Sequence, residues 1–187
     1  MQNSSADWRI DPSGILAAAR YLPSPNFDER PGGCGVDLLV VHNISLPPGE
    51  FGGPGIVDLF TNRLDPDAHP YYREIAGLRV SAHFLVRRDG ELIQFVPCAK
   101  RAWHAGESAW RGRDRCNDFS VGVELEGTDH QAFTDEQYAS LARLARALRA
   151  AYPLAECVGH ADIATPSGRK TDPGPRFDWT RFRQLIA

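Results

Sequence analysis

A chain of 187 residues, 42% hydrophobic and 24% charged, has the composition of one globular domain with room for a sizeable core. Its net charge of -3 and pI near 6.1 exclude a strongly basic surface, so neither nucleic acid nor a membrane is an expected partner. No run approaches the roughly 20 apolar residues of a membrane span, and MQNSSADWRIDPSGILAAARYL lacks the basic start and long apolar stretch of an export signal. The expected location is the cytoplasm.

In chain order, residues 1–36 read as an irregular entry containing Pro23, Pro25 and Pro31. The apolar run Leu38, Leu39, Val40, Val41 predicts a buried strand over Asp37–His42. A short helix is expected near Ile56, Leu59, Phe60 and Leu64, then a surface loop from Asp65 to Pro70 that leaves His69 in solvent. Strands over Ser81–Arg88 and Glu91–Val96 are joined by the turn signal Asp89-Gly90, and further strands are expected over Phe119–Glu126 and Glu156–His160. Thr134 with Gln137 three residues on resembles a capping box. Tyr138, Leu141, Leu144, Ala145, Leu148 and Tyr152 follow at helical spacing until Pro153. A terminal helix from Asp178 carries Trp179, Phe182, Leu185 and Ile186. Strands alternating with helices, without repeats, predict an α/β domain with helices packed on its sheet. Cys34, Cys98, Cys116 and Cys157 form no CxxC pair and are expected as free thiols.

Three signals carry chemistry. GHADIATPSGRKTDPGP, Gly159 to Pro175, places His160, Lys170 and Asp172 in one glycine- and proline-rich loop, while His42 ends the apolar run before it. Two imidazoles and one carboxylate make a catalytic zinc shell that leaves a fourth position open. By spacing alone the same residues also fit a strand cap and a turn before Pro173. In FSVGVELEG, alternation sets Glu124 and Glu126 on one strand face, which suits a glycosidase acid and base pair, a base beside a metal, or a solvated strand face. Lys170, two residues before Asp172, reads as an oxyanion-stabilising charge or as a surface lysine.

Taken in order, YLPSPNFDERP, LLVVHNISLPPGEFGGPGI, LRVSAHFLVRRDG, RAWHAGESAWRGRDRCNDFSVGVELEGTD, GHADI, RKTDPGP and FDW resemble the AmpD-type 1,6-anhydro-N-acetylmuramyl-L-alanine amidases almost end to end. The resemblance implies a single α/β domain over residues 1–187: a central mixed β-sheet flanked by helices, the peptidoglycan-recognition or T7-lysozyme-like amidase fold, with 1–36 packed on it. It implies Zn2+ held by His42, His160 and Asp172, with Glu124 as general base and later proton donor to the leaving amine, and Lys170 stabilising the tetrahedral oxyanion. The implied substrate is an anhydromuropeptide, cut between the lactyl group and L-alanine during peptidoglycan recycling by a monomeric enzyme whose loss can raise β-lactamase expression. Arg79 and Arg115 then become forks for peptide carboxylates, Asn43 a hydrogen-bond partner of the peptide and Trp103 an apolar plane for the sugar. His83 and His104 are read as core or supporting imidazoles outside the metal shell.

One departure stands out. ATPSGR makes the stretch from His160 to Lys170 about two residues longer than the family pattern, so the loop must bulge. The rivals are a non-catalytic muropeptide-binding module of the same fold and a glycosidase using Glu124 and Glu126.

Overall fold

The computed structural model describes residues 7–187. Its strands are β1 (Arg20–Tyr21), β2 (Phe27–Glu29), β3 (Leu38–Ile44), β4 (Phe84–Val86), β5 (Leu92–Gln94), β6 (Lys100–Ala102), β7 (Ala109–Trp110), β8 (Arg113–Asp114), β9 (Ser120–Glu126) and β10 (Glu156–Gly159). Its helices are α1 (Gly55–Phe60), α2 (Pro70–Ile75), α3 (Asp135–Ala151), α4 (His160–Ile163) and α5 (Trp179–Ile186). Six strands form one mixed sheet in the order β1-β5-β4-β9-β3-β10, parallel except for the β4–β5 hairpin; β2 with β6 and β7 with β8 make two small ribbons.

The parallel centre follows from composition. A strand covered on both faces carries a continuous apolar run, and Leu38, Leu39, Val40 and Val41 are all buried. Leu39 and Val41 of β3, with Val121, Val123 and Leu125 of β9, face the core built with α3 and α5. The alternate positions face the other way and change character along the chain: Leu38 and Val40 are followed by His42, and Gly122 by Glu124. Register pairs His42 with Glu124 on adjacent strands. Polar chemistry therefore gathers near the carboxyl ends of the central strands, where open α/β sheets commonly bind ligands.

Helix α3 starts on the expected capping box, with the Thr134 hydroxyl accepting from Gln137 N–H and the Gln137 amide oxygen accepting from Thr134 N–H, both at 3.1 Å. It packs on α5, where Asp178 N–H donates to the Tyr138 hydroxyl at 2.7 Å. Across the sheet, α1 and α2 close a second core around Leu46, Leu59, Phe60, Tyr72, Leu85 and Phe95.

Several elements differ from expectation. The N-terminal stretch is not wholly irregular: β1 and β2 pair with β5 and β6, and the Gln94 side chain bonds Leu16 N–H and the Gly14 carbonyl at 2.9 and 2.8 Å. Within the same stretch the Arg30 guanidinium donates to the carbonyls of Cys98, Asn117, Asp118 and Ser120 at 2.8–3.2 Å. The loop expected to reach Pro70 ends at His69, whose ring accepts from Tyr71 N–H at 3.1 Å and caps α2. His69 is half-buried rather than free in solvent, because Pro70 starts a helix at a position needing no N–H donor. The last strand stops at Gly159, so that His160 opens α4. All four cysteines are free.

Candidate metal centre and its groove

His42 reaches the site from the end of β3, His160 from the first residue of α4, and Asp172 from the loop that follows it. The Nδ1 atoms of His42 and His160 are 3.0 Å apart, and each is 3.1 Å from Asp172 Oδ2. A tetrahedral zinc with bonds of about 2.0–2.2 Å sets its ligand atoms roughly 3.3 Å apart, so the three donors already lie near the spacing of such a shell. Burial depresses the His42 pKa, with Asp172 opposing the effect and His160 adding to it, which favours the neutral imidazole that a ligand needs. Burial alone would raise Asp172, but the His160 and His42 imidazoles beside it hold its carboxyl well below the usual range. The donor set is therefore two imidazoles and a carboxylate, which suits zinc.

The second imidazole nitrogens are also committed. His160 Nε2 lies 3.0 Å from the Ala105 carbonyl, an acceptor only, so it carries the proton and leaves Nδ1 bare toward the centre. His42 Nε2 lies 2.9 Å from His104 Nδ1. His83 stays in the interior as expected, accepting from Gly122 N–H at 3.0 Å, with burial and the Arg30 charge lowering its pKa to about 3.

Beside the donors, Glu124 sends a carboxylate toward the groove, and its Oε2 is buried with no hydrogen-bond partner among the described residues. Burial and the nearby Asp172 raise its pKa well above the ordinary glutamate value, with Lys170 pulling the other way. A proton acceptor tuned upward and left without a partner is what general-base chemistry near neutral pH requires. Lys170 stands exposed on the groove wall. Glu126 is no second catalytic carboxylate: it is buried, 3.3 Å from Arg87, and accepts from the N–H groups of Gly52 and Arg88. That removes the glycosidase pair.

The groove is about 610 Å³, with an apolar wall that includes Leu59, Phe60, Tyr71 and Trp103 and a polar wall that includes Asp129, Arg169 and Lys170. Trp103 is half-buried and lines it. Asn43 lines it too, but its amide donates to Asp129 Oδ1 at 2.7 Å. Arg79 is exposed between the lining residues Leu78 and Val80, its guanidinium 3.3 and 3.4 Å from the carbonyls of Leu78 and Ala76. Arg115 is not brought to the groove. Held in a left-handed conformation, it pairs with Asp118 at 3.0 Å and lines a separate depression with Cys34, Asp37 and Arg113.

Two residues missing from the expected set hold the ligand loop. Asp129 accepts from the Thr171 hydroxyl at 2.5 Å while holding Asn43, and Arg169 donates to the carbonyls of Glu107, Ala105 and Thr165 at 2.6, 3.2 and 2.9 Å. The signal for Asp129 was its place in GTDH, just past the end of β9. Arg169 thereby fastens the stretch between His160 and Asp172 immediately before Lys170.

A mixed sheet that brings two histidines, an aspartate and a glutamate together at its carboxyl edge has the donor set of a hydrolase-class metal site. The sequence pattern of the N-acetylmuramoyl-L-alanine amidases, amidase 2, matches residues 32–175, and the chain belongs to that family. Within it the likeness is to the AmpD type. The 1,6-anhydro-N-acetylmuramyl-L-alanine amidase AmpD of Salmonella typhimurium strain SL1344 is 62% identical over 176 residues, 93% of each chain. That of Escherichia coli K12 is 61% identical, over 93% of this chain and 95% of its own. The crystal structure of a selenomethionine AmpD derivative has a TM-score of 0.90 at 61% identity, covering 94% of this chain and 98% of that one. More distant is E. coli AmiD, solved with the substrate anhydro-N-acetylmuramic acid-L-Ala-D-gamma-Glu-L-Lys. It is 29% identical with a TM-score of 0.62, covering 86% of this chain and 65% of that one.

Proposed function

We propose that the protein is a zinc-dependent amidase that cleaves the bond between the lactyl group of 1,6-anhydro-N-acetylmuramic acid and L-alanine, acting in the cytoplasm on fragments recovered from peptidoglycan. The observation that carries this reading is the convergence of His42, His160 and Asp172 beside the partnerless carboxylate of Glu124. The end-to-end identity with AmpD enzymes selects the substrate class.

Zinc held by the three donors would polarise the scissile carbonyl and acidify a water in the fourth position. The chain's own groups supply the rest. Glu124 takes a proton from the attacking water as oxygen adds to the carbonyl carbon, then delivers that proton to the alanine nitrogen as the C–N bond breaks. Lys170 offers an ammonium to the oxygen that becomes negative in the tetrahedral state. Trp103 and its apolar neighbours shelter the anhydro sugar, while Asn43 and Arg79 stand where they can meet the peptide.

The test is hydrolysis of 1,6-anhydro-N-acetylmuramyl tripeptide followed by mass spectrometry, with protein as isolated, after chelation and after zinc is returned. Chelator-sensitive release of the intact tripeptide, restored by zinc, is the expected result. Tight binding without cleavage would instead make the chain a muropeptide-binding module.

A further inference from the structure

His160 anchors its outer nitrogen directly on a backbone carbonyl, which can only accept, whereas His42 anchors its own on another imidazole, which can accept or donate. The choice is made further along. His104 Nε2 lies 3.2 Å from the Ser120 hydroxyl, and that hydroxyl lies 2.6 Å from the Cys116 carbonyl. A carbonyl supplies no proton, and two oxygens at 2.6 Å need one between them, so the single Ser120 proton points at Cys116. Ser120 must then accept from His104 Nε2–H. His104 Nδ1 is thereby a bare acceptor, His42 Nε2 is the donor to it, and His42 Nδ1 presents its lone pair to the centre.

The surroundings hold this chain of bonds in place. Asn117 Oδ1 accepts from the backbone N–H groups of His104 and Ala105 at 3.2 and 2.9 Å, fixing the loop that carries the ring. Beneath it, a Cβ at Gly122 would stand 2.4–2.6 Å from His104 ring atoms, so the ring lies against bare backbone of β9. His83 packs at 5.8 Å between ring centroids.

We propose that His104, directed by Ser120, is a positioning residue that holds His42 in the Nε2–H tautomer and so prepares it as a metal ligand. Its ring borders the groove, and its link to the centre runs through His42. The inference rests on the reading of His42, His160 and Asp172 as a zinc site, but its first test needs no zinc.

Long-range 1H–15N correlation spectra of the metal-free protein show which nitrogen of each histidine is protonated. Asp172 Oδ2, 3.1 Å from Nδ1, competes for the same proton; if the relay prevails, wild-type His42 carries its proton on Nε2, and a wild-type proton on Nδ1 overturns the proposal. In S120A and H104L, that preference is expected to give way to a mixture of tautomers. Zinc affinity, measured by chelator competition on the folded proteins, is the second readout. H104L is expected to bind about 10–100-fold more weakly, the usual cost of losing a residue that orients a ligand. H104N, whose side-chain oxygen can accept in place of Nδ1, should recover most of the loss.

The proposal is overturned if S120A and H104L leave His42 on Nε2 and zinc affinity unchanged, or if folded H104N loses as much affinity as H104L. Should H104L fail to fold, S120A keeps the ring and decides the tautomer question alone. A wild-type protein that takes up no zinc would defeat the metal reading, and the spectra would still decide the relay.

Discussion

At the scale of single residues, Glu124 combines burial, a raised pKa and an oxygen with no partner among the described residues. Replacing it by glutamine keeps the shape and removes the proton acceptor. E124Q is expected to lower kcat by about 10²–10⁴-fold with bound zinc unchanged, as steady-state kinetics and metal analysis would show. K170A should lower kcat by about 10²–10³-fold and leave KM nearly constant, because its charge matters only once the oxyanion forms. The thiols divide in a similar way. Burial pushes Cys98 up to about 12 and Cys157 up to about 11, while Cys34 is exposed. A thiol-disulfide reagent near pH 8 should therefore modify Cys34 quickly and the other cysteines only on unfolding.

At the scale of elements, two devices can be tested by small substitutions. T134A removes the hydroxyl that caps α3 and also donates to the Arg88 carbonyl at 2.7 Å. A loss of about 1 kcal/mol in urea unfolding is expected. G122A would push a methyl group into the His104 ring, and overpacking of that kind costs about 1–3 kcal/mol. Elements were legible from sequence in proportion to how local their cause is. β3, β9 and α3 announce themselves by apolar runs, helical spacing and a capping box, all of which sit within a few neighbouring residues. β1 and β2, of two and three exposed residues, exist because β5 and β6 offer partners far along the chain. α2 stayed hidden because histidine is an uncommon cap. The candidate metal donors were legible in part: the loop and the apolar run suggested His42, His160 and Asp172 but left a strand cap and a turn open, and the likeness to a family made the set firm. Arg115 lies away from the groove because its own left-handed backbone carries the side chain to a different depression, which no local pattern in the sequence signals.

For the whole molecule, the site and stability pull against each other. A carboxyl whose pKa is raised by folding contributes stability that is fully present below its unfolded pKa, near 4.3, and is lost as pH rises through the folded value. Glu124 is such a group, so above the ordinary glutamate range the metal-free protein bears the cost of a setting that disfavours the charged carboxylate. E124Q should melt higher than wild type in chelator at neutral pH, and the difference should shrink as pH falls toward about 4. Zinc acts in the opposite sense. At a free concentration 100 times its dissociation constant, binding to the folded state alone adds about 2.7 kcal/mol, so wild type should show a Tm that rises with zinc. Among the described residues no helix is long and apolar enough to cross a membrane.

The donors lie far apart along the chain, with 130 positions separating His42 from Asp172. During synthesis His42 is made long before the third donor exists. A product cut short between residues 160 and 172 carries both imidazoles without their carboxylate, and one cut before residue 160 lacks His160 as well, so the three-donor set cannot assemble on either. The donor set thus marks how far synthesis has gone: a copy that stops short of Asp172 lacks the one carboxylate among its donors.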